Sequence, residues 1–161
     1  MDAFDPRPPA DTGDADARFM AVALGQAELA ATAGEVPVGA VVVVDGQVVA
    51  AAHNRREATA DPTGHAEILA LRAAGQALGS WRLADATLYV TLEPCPMCAG
   101  AAVAARLARL VYGASDPKAG AVGSLYNLAV DPRLNHEMAW RHGVMADECA
   151  RILTDFFDRR R

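Results

Sequence analysis

An α/β sandwich, one mixed sheet covered by helices, is the fold class this sequence predicts. Three observations predict it. Valine-rich or β-branched runs alternate with helix-period segments along the chain. Asp45-Gly46 divides two of those runs, a strong hairpin signal because both central turn positions want positive φ. The run Val38-Gly39-Ala40-Val41-Val42-Val43-Val44 is almost continuously apolar, as befits a strand covered on both faces.

In chain order, residues 1–14 (MDAFDPRPPADTGD) are acidic and proline-rich and read as a flexible leader. From Ala15 to Ala33 the apolar residues Phe19, Val22, Ala23, Ala27 and Ala30 keep a helical spacing, and Gly34 ends it. The hairpin follows, with its second strand over 47–53. Residues 54–64 read as loop, punctuated by Asp61-Pro62-Thr63-Gly64. His65 to Leu78 reads as a helix closed by Gly79, and Leu88 to Thr91 as a short buried strand. Pro94-Cys95-Pro96 opens a second helix running to about Ala105, since proline is welcome in a helix's first turn. Arg109 to Tyr112 is a strand, 113–123 a glycine-punctuated loop, and 138–141 a weak strand. A helix from Ala146 to Arg160 closes the chain. With the weak strand, the mixed sheet has five strands and makes the middle layer of a three-layer α/β/α sandwich.

The chain has 161 residues, 52% of them hydrophobic and 22% charged, which suits a single domain over 15–161 with its own core. No apolar run approaches the roughly 20 residues a bilayer span needs, and the N-terminus lacks the basic-then-apolar order of a secretory signal. The expected location is the cytoplasm. A net charge of −5 means that any nucleic-acid partner is held by a local basic patch.

The chemistry concentrates in His65-Ala66-Glu67 and Pro94-Cys95-Pro96-Met97-Cys98, both at helix starts. Cys-x-x-Cys alone reads equally as a redox pair or as half a metal site. His65 alone reads as a cap or core histidine, and Glu67 alone as a solvated helix residue. Together, one imidazole and two thiolates suit tetrahedral zinc and leave a fourth position for water, which is the catalytic pattern. The helix dipole and free N–H groups at Cys95-Cys98 favour thiolate. Glu67, two residues after His65, can serve the water's proton without ligating the metal. Cys149 reads as a buried small apolar residue.

His-x-Glu followed by Pro-Cys-x-x-Cys is the established signature of the zinc-dependent nucleobase and nucleoside deaminases. The likeness extends through Glu35-Val36-Pro37-Val38-Gly39-Ala40, Asp61-Pro62-Thr63, Leu88 to Cys95, Met97-Cys98-Ala99-Gly100-Ala101, Gly120-Ala121, Gly123-Ser124-Leu125, Asn135-His136, Ala146-Asp147-Glu148-Cys149 and Asp155-Phe156-Phe157. Over residues 16–161 the chain resembles the bacterial tRNA adenosine deaminases of the cytidine-deaminase-like superfamily. That resemblance implies the cytidine-deaminase-like fold, usually as a homodimer. It implies one Zn2+ per subunit on His65, Cys95 and Cys98, with Glu67 as proton shuttle. The implied activity is hydrolytic deamination of adenosine to inosine at the wobble position of an arginine tRNA, with the anticodon stem-loop as partner. It also implies substrate contacts at Asn54 (a hydrogen bond to the target base), Val38 (the base pocket), Asp116 (flanking nucleotides), and Phe156 with Arg159 to Arg161 (the anticodon loop). The sequence departs from the family pattern at Gly64, where alanine is common and whose glycine would loosen the helix start. It departs again at Asp158, which interrupts the basic end of the last helix. A deaminase of free guanine, cytosine or their nucleosides would share the zinc and proton-transfer residues. A non-catalytic zinc- or RNA-binding module would tolerate loss of Glu67, and a redox dithiol would copurify without zinc.

Overall fold

The structure, a computed structural model, describes residues 12–160, with side chains from Ala15 onward. Residues 1–11 of the expected leader lie outside the described residues, as does Arg161. Helix α1 spans Thr12–Thr32 and so begins three residues before the expected Ala15. Strands β1 (Gly39–Val44) and β2 (Gln47–His53) form the hairpin. Asp45 (φ 50°) and Gly46 (φ 73°) both adopt the left-handed backbone that the turn requires. A short helix α2 (Arg56–Thr59) lies in the stretch read as loop. Then come α3 (Ala66–Leu78), β3 (Ala86–Leu92), α4 (Pro96–Ala104), β4 (Arg109–Ala114), β5 (Ala139–Arg141) and α5 (Ala146–Asp158). Among the described residues, no helix is long and apolar enough to cross a membrane.

Helix α2 corrects the loop reading, and its cause is remote in sequence. The Glu35 carboxylate accepts hydrogen bonds from the backbone N–H of Glu57 (2.8 Å) and Ala58 (3.0 Å), groups the short helix cannot satisfy itself. A partner some twenty residues upstream leaves no local signal.

The five strands run in the order β2-β1-β3-β4-β5. The β1 pairings with β2 and β3 are antiparallel, and those of β4 with β3 and β5 are parallel, which makes the sheet mixed. Side chains alternate between its faces with the two-residue period of a strand. Ala40, Val42, Leu88, Val90, Leu110 and Tyr112 pack into one core with α3 and α4. Val41, Val43, Tyr89 and Val111 pack into another with α1 and α5. This double coverage explains the unbroken valines. Cys149 of α5 lies in the second core against Gly113 of β4, where any Cβ would run into it. It is a packing residue, as its sequence context suggests.

The topology brings four strand ends together at one edge of the sheet. Antiparallel β1 starts where β3 finishes, so Gly39 N–H donates to the Thr91 hydroxyl (3.2 Å). The end of β2 folds back on the same point, with Asn54 N–H donating to Val38 C=O (3.1 Å). Parallel β3 and β4 finish side by side, with Glu93 N–H donating to Ala114 C=O (2.8 Å). Carboxyl ends of parallel strands are where open α/β sheets place ligands.

Candidate active site

Helices α3 and α4 start at this edge. His65 is the N-cap of α3 and Cys95 the N-cap of α4, both in extended backbone, with Pro96 at the first helical position. The two helix starts face each other. His65 Nδ1 lies 3.7 Å from Cys95 Sγ and 3.5 Å from Cys98 Sγ, and the three donor atoms all lie within 4.8 Å of one another. A tetrahedral zinc with Zn–S of about 2.3 Å and Zn–N of about 2.0 Å sets N···S near 3.5 Å, so the cluster fits zinc as it stands. Among the described residues it is the group of histidine, cysteine and carboxylate side chains close enough to hold a metal. Gly64 does not loosen the helix start. Its N–H donates to Asp61 C=O (3.0 Å) and its C=O accepts from Arg55 N–H (2.9 Å).

Electrostatics divide the two cysteines. The Cys98 thiol donates to Cys95, and with His65 nearby it draws the Cys95 pKa down to about 4. Cys98 is pushed up by the same thiolate and by burial. His65 is raised, chiefly by its hydrogen bond to Cys95. One thiolate beside an imidazole, with a second thiol that keeps its proton until a cation displaces it, is a donor set that gains from a divalent cation. Glu67, in the first turn of α3, is only 4% exposed. Burial raises its carboxyl pKa to about 6, close to where a proton shuttle operates.

A pocket of about 170 Å³ opens onto the cluster. His65, Glu67 and Cys95 line it together with Val38, Asn54 and Asp116. That volume is below the roughly 300 Å³ where drug-sized sites begin, so it suits one flat ring system. Asn54 is both a wall residue and a brace. It is 6% exposed, its amide donates to Val36 C=O (3.2 Å), and its carbonyl accepts from Arg56 N–H (3.3 Å). The Asp116 carboxylate caps its own turn by accepting from Lys118 N–H (3.0 Å) and Ala119 N–H (3.2 Å). Phe156 is not in this pocket. It lines an adjoining depression that shares Val36, Asn54 and Arg56 with the first and adds Arg160. The Arg160 guanidinium lies 4.2 Å from the Phe156 ring centroid and donates to Gly34 C=O (3.0 Å).

Sequence reasoning assigned no role to Arg56, Val36 or Glu93, all of which line the pocket. Glu93 carried a usable signal, since a carboxylate at the end of a buried strand, one residue before Pro94-Cys95, needs partners. Its two oxygens accept from the N–H groups of Asp116 (3.0 Å), Val122 (3.1 Å) and Ser124 (3.0 Å), and from the Ser124 hydroxyl. Burial alone would raise its pKa, but these donors hold it below the ordinary value.

Comparisons with known proteins agree with this geometry. A family model for MafB19-like deaminases matches residues 14–161. The tRNA-specific adenosine deaminase of Bacillus subtilis (strain 168) is 49% identical over 142 residues, covering 88% of each protein. A structure solved in studies of A-to-I editing by tRNA:A34 deaminases at the wobble position superposes with a TM-score of 0.82 at 48% identity, covering 84% of this chain and 99% of its own. A guanine deaminase from Bacillus subtilis is also similar (41% identity, TM-score 0.59), but over 61% of this chain and 63% of its own. Near-half identity that runs through most of both proteins, well beyond the metal motif, decides between these neighbours: the chain belongs to the tRNA-specific adenosine deaminases.

Proposed function

We propose that the chain hydrolyses the wobble adenosine of an arginine tRNA to inosine and ammonia, reading the anticodon stem-loop. The observation that carries this reading is the buried Glu67 carboxylate in the turn that presents His65, beside Cys95 and Cys98 and lining a pocket sized for one base. His65 Nδ1, Cys95 Sγ and Cys98 Sγ would hold one zinc ion per subunit. Zinc, when bound, lowers the pKa of a coordinated water to about 7 and so supplies a nucleophile at neutral pH. Glu67 takes the proton released as water adds to C6 and delivers it to the ring nitrogen, and then carries the proton of the new C6 hydroxyl to the departing amino group, so that the C6 carbonyl forms and ammonia leaves. Asn54 orients the base edge, Val38 packs on its face, and Asp116 stands where the flanking nucleotide leaves the pocket. Anticodon-loop bases are already partly unstacked, so extruding one costs only about a few kcal/mol.

Phe156, Arg159 and Arg160 extend the surface beyond the pocket and would meet the rest of the loop. The active unit is a single domain over residues 15–161, working in the cytoplasm as a homodimer. In support of a partner subunit, Met97, Leu125 and Tyr126 are large apolar side chains exposed close in sequence to Cys98 and Ser124. The test is inosine formation at the wobble position of an arginine-tRNA anticodon stem-loop by the zinc-loaded protein. Conversion is expected. Turnover of free guanine or cytosine with none of the stem-loop would instead favour the free-base reading.

A further inference from the structure

We propose that Glu93 is a positioning residue for the substrate. Its carboxylate holds the 115–124 loop in register, so that Asp116 and Ala119 form the outer wall of the base pocket. This deepens the functional reading above and rests on it.

Glu93 leaves the end of β3 and is 2% exposed. Its carboxylate oxygens point into the loop. Oε1 accepts from Asp116 N–H and the Ser124 hydroxyl, and Oε2 from Val122 N–H and Ser124 N–H. The partners lie at the loop's beginning and its end, so one charged group spans the whole segment. The backbone reinforces the tie, since Ala121 N–H donates to Pro94 C=O (2.8 Å). Gly120 passes so close that a Cβ there would land on the carboxylate. The loop is wrapped around Glu93 with no room for a methyl group.

The loop has little else to fix its pocket side. Ser115, Pro117, Lys118, Ala119, Gly123 and Ser124 are exposed, and only Ala121 and Val122 enter the core. Segments with few buried apolar contacts open locally at low cost unless polar bonds restrain them. Yet Asp116 and Ala119 face the pocket across from Val36, Val38 and Asn54. Asp116 cannot hold itself in place, because its carboxylate is occupied by the amides of Lys118 and Ala119 within the loop. Two ties reach from this loop to the metal-binding helix start, the Ala121 N–H bond to Pro94 C=O and the Glu93 carboxylate, and of these it is Glu93 that takes hold of Asp116. Its oxygens are taken up by the loop, so its influence on substrate passes through Asp116 and Ala119.

A wall that touches substrate equally in the ground and transition states contributes uniform binding, whose loss raises KM and spares kcat. Glu93→Gln tests this, because a glutamine amide nitrogen must confront backbone N–H donors that a carboxylate satisfies. Hydrogen bonds to a charged group carry about 1.5–3 kcal/mol, so KM for the stem-loop should rise about tenfold or more. The kcat, zinc content and exchange protection of α3 should stay near wild type, while the Val122 and Ser124 amides exchange about tenfold faster. Gly120→Ala should reproduce the KM rise with Glu93 intact. Ser124→Ala, which removes one hydroxyl at an exposed position, should give a smaller rise and keeps the test open if the other variants fold poorly. Unchanged KM and unchanged loop protection would overturn the proposal. So would a fall in kcat at constant KM, or loss of zinc, since either places Glu93 in the reaction or in metal-site assembly. The exchange measurement needs no substrate, so a wild type inactive on the stem-loop defeats the functional reading while the clamp is still decided.

Discussion

At the scale of single residues, a pair of substitutions separates metal binding from proton transfer. Glu67→Ala removes a carboxylate but no ligand. Inosine formation should fall about 10² to 10⁴-fold, the usual worth of a positioned acid–base group, with zinc content unchanged by metal analysis. Retained turnover would remove Glu67 from its role. Cys95→Ser replaces a sulfur whose pKa is drawn down to about 4 by a hydroxyl that stays protonated, so zinc stoichiometry should collapse along with activity. Full zinc content in that variant would contradict the ligand set. The His65, Cys95 and Cys98 cluster was legible in the sequence because ligand chemistry fixes both residue type and spacing, and Glu67 because it follows His65 by two residues in the same helix turn. Val36, Arg56 and Glu93 were not, because a pocket wall or a backbone brace can be built from many residue types. Asn54 shows the limit well. Implied by the family resemblance to be a base contact, it braces Val36 and Arg56 and still borders the pocket.

At the scale of elements, helix α1 is tied to the sheet by one buried carboxylate. Asp16 is 1% exposed and accepts two hydrogen bonds from Arg109 (2.7 Å each), one from Arg141 (2.7 Å) and one from the Tyr89 hydroxyl (2.7 Å). The network spans α1, β3, β4 and β5. Removing one partner of a buried pair strands the others, so Asp16→Ala should cost about 3 kcal/mol, the lower end for such pairs because both arginines are partly exposed. That corresponds to a fall in Tm of about 6–12 °C for a domain this size. The pH dependence has a definite sign. Burial would raise the Asp16 pKa, but Arg109, Tyr89 and Arg141 hold it below the ordinary 3.8. Its stabilisation is therefore complete above that value and is lost as pH falls through the folded-state pKa. The Tm gap between wild type and Asp16→Asn should stay constant from neutral pH down to about 5 and close under stronger acid. A gap that widens toward acid would show the network is not ionic. Nothing in the local pattern announces this tie, since Asp16 sits in a helical stretch where a charged residue reads as solvent-facing. The hairpin and the covered valine strand were legible for the opposite reason: turn chemistry and an unbroken apolar run are local. Helix α2 was missed because Glu35, its cap, is remote in sequence.

At the scale of the whole molecule, a chain of net charge −5 must bind a polyanion. Any phosphate contact is then local, and exposed arginines line the depression next to the pocket. Arg56 and Arg160 line one depression with Phe156, and Arg159 lines a second that also includes Phe156 and Arg160. All three arginines are exposed. Asp158 lies beside this group in sequence and leaves the Arg160 guanidinium over the Phe156 ring. Each phosphate neutralised on a single strand contributes about −0.7 to the slope of log affinity against log salt, so three contacts give a slope near −2. KM for the stem-loop should therefore rise roughly fourfold for each doubling of salt, with kcat and zinc content unmoved. Arg159→Ala should flatten that slope by about 0.7 and leave single-turnover chemistry at saturating substrate unchanged. Phe156→Ala should raise KM without altering the slope, because stacking on a base releases no counterions. A KM insensitive to salt would mean that recognition ends at the pocket, and the polyanion would then be held by shape and stacking alone.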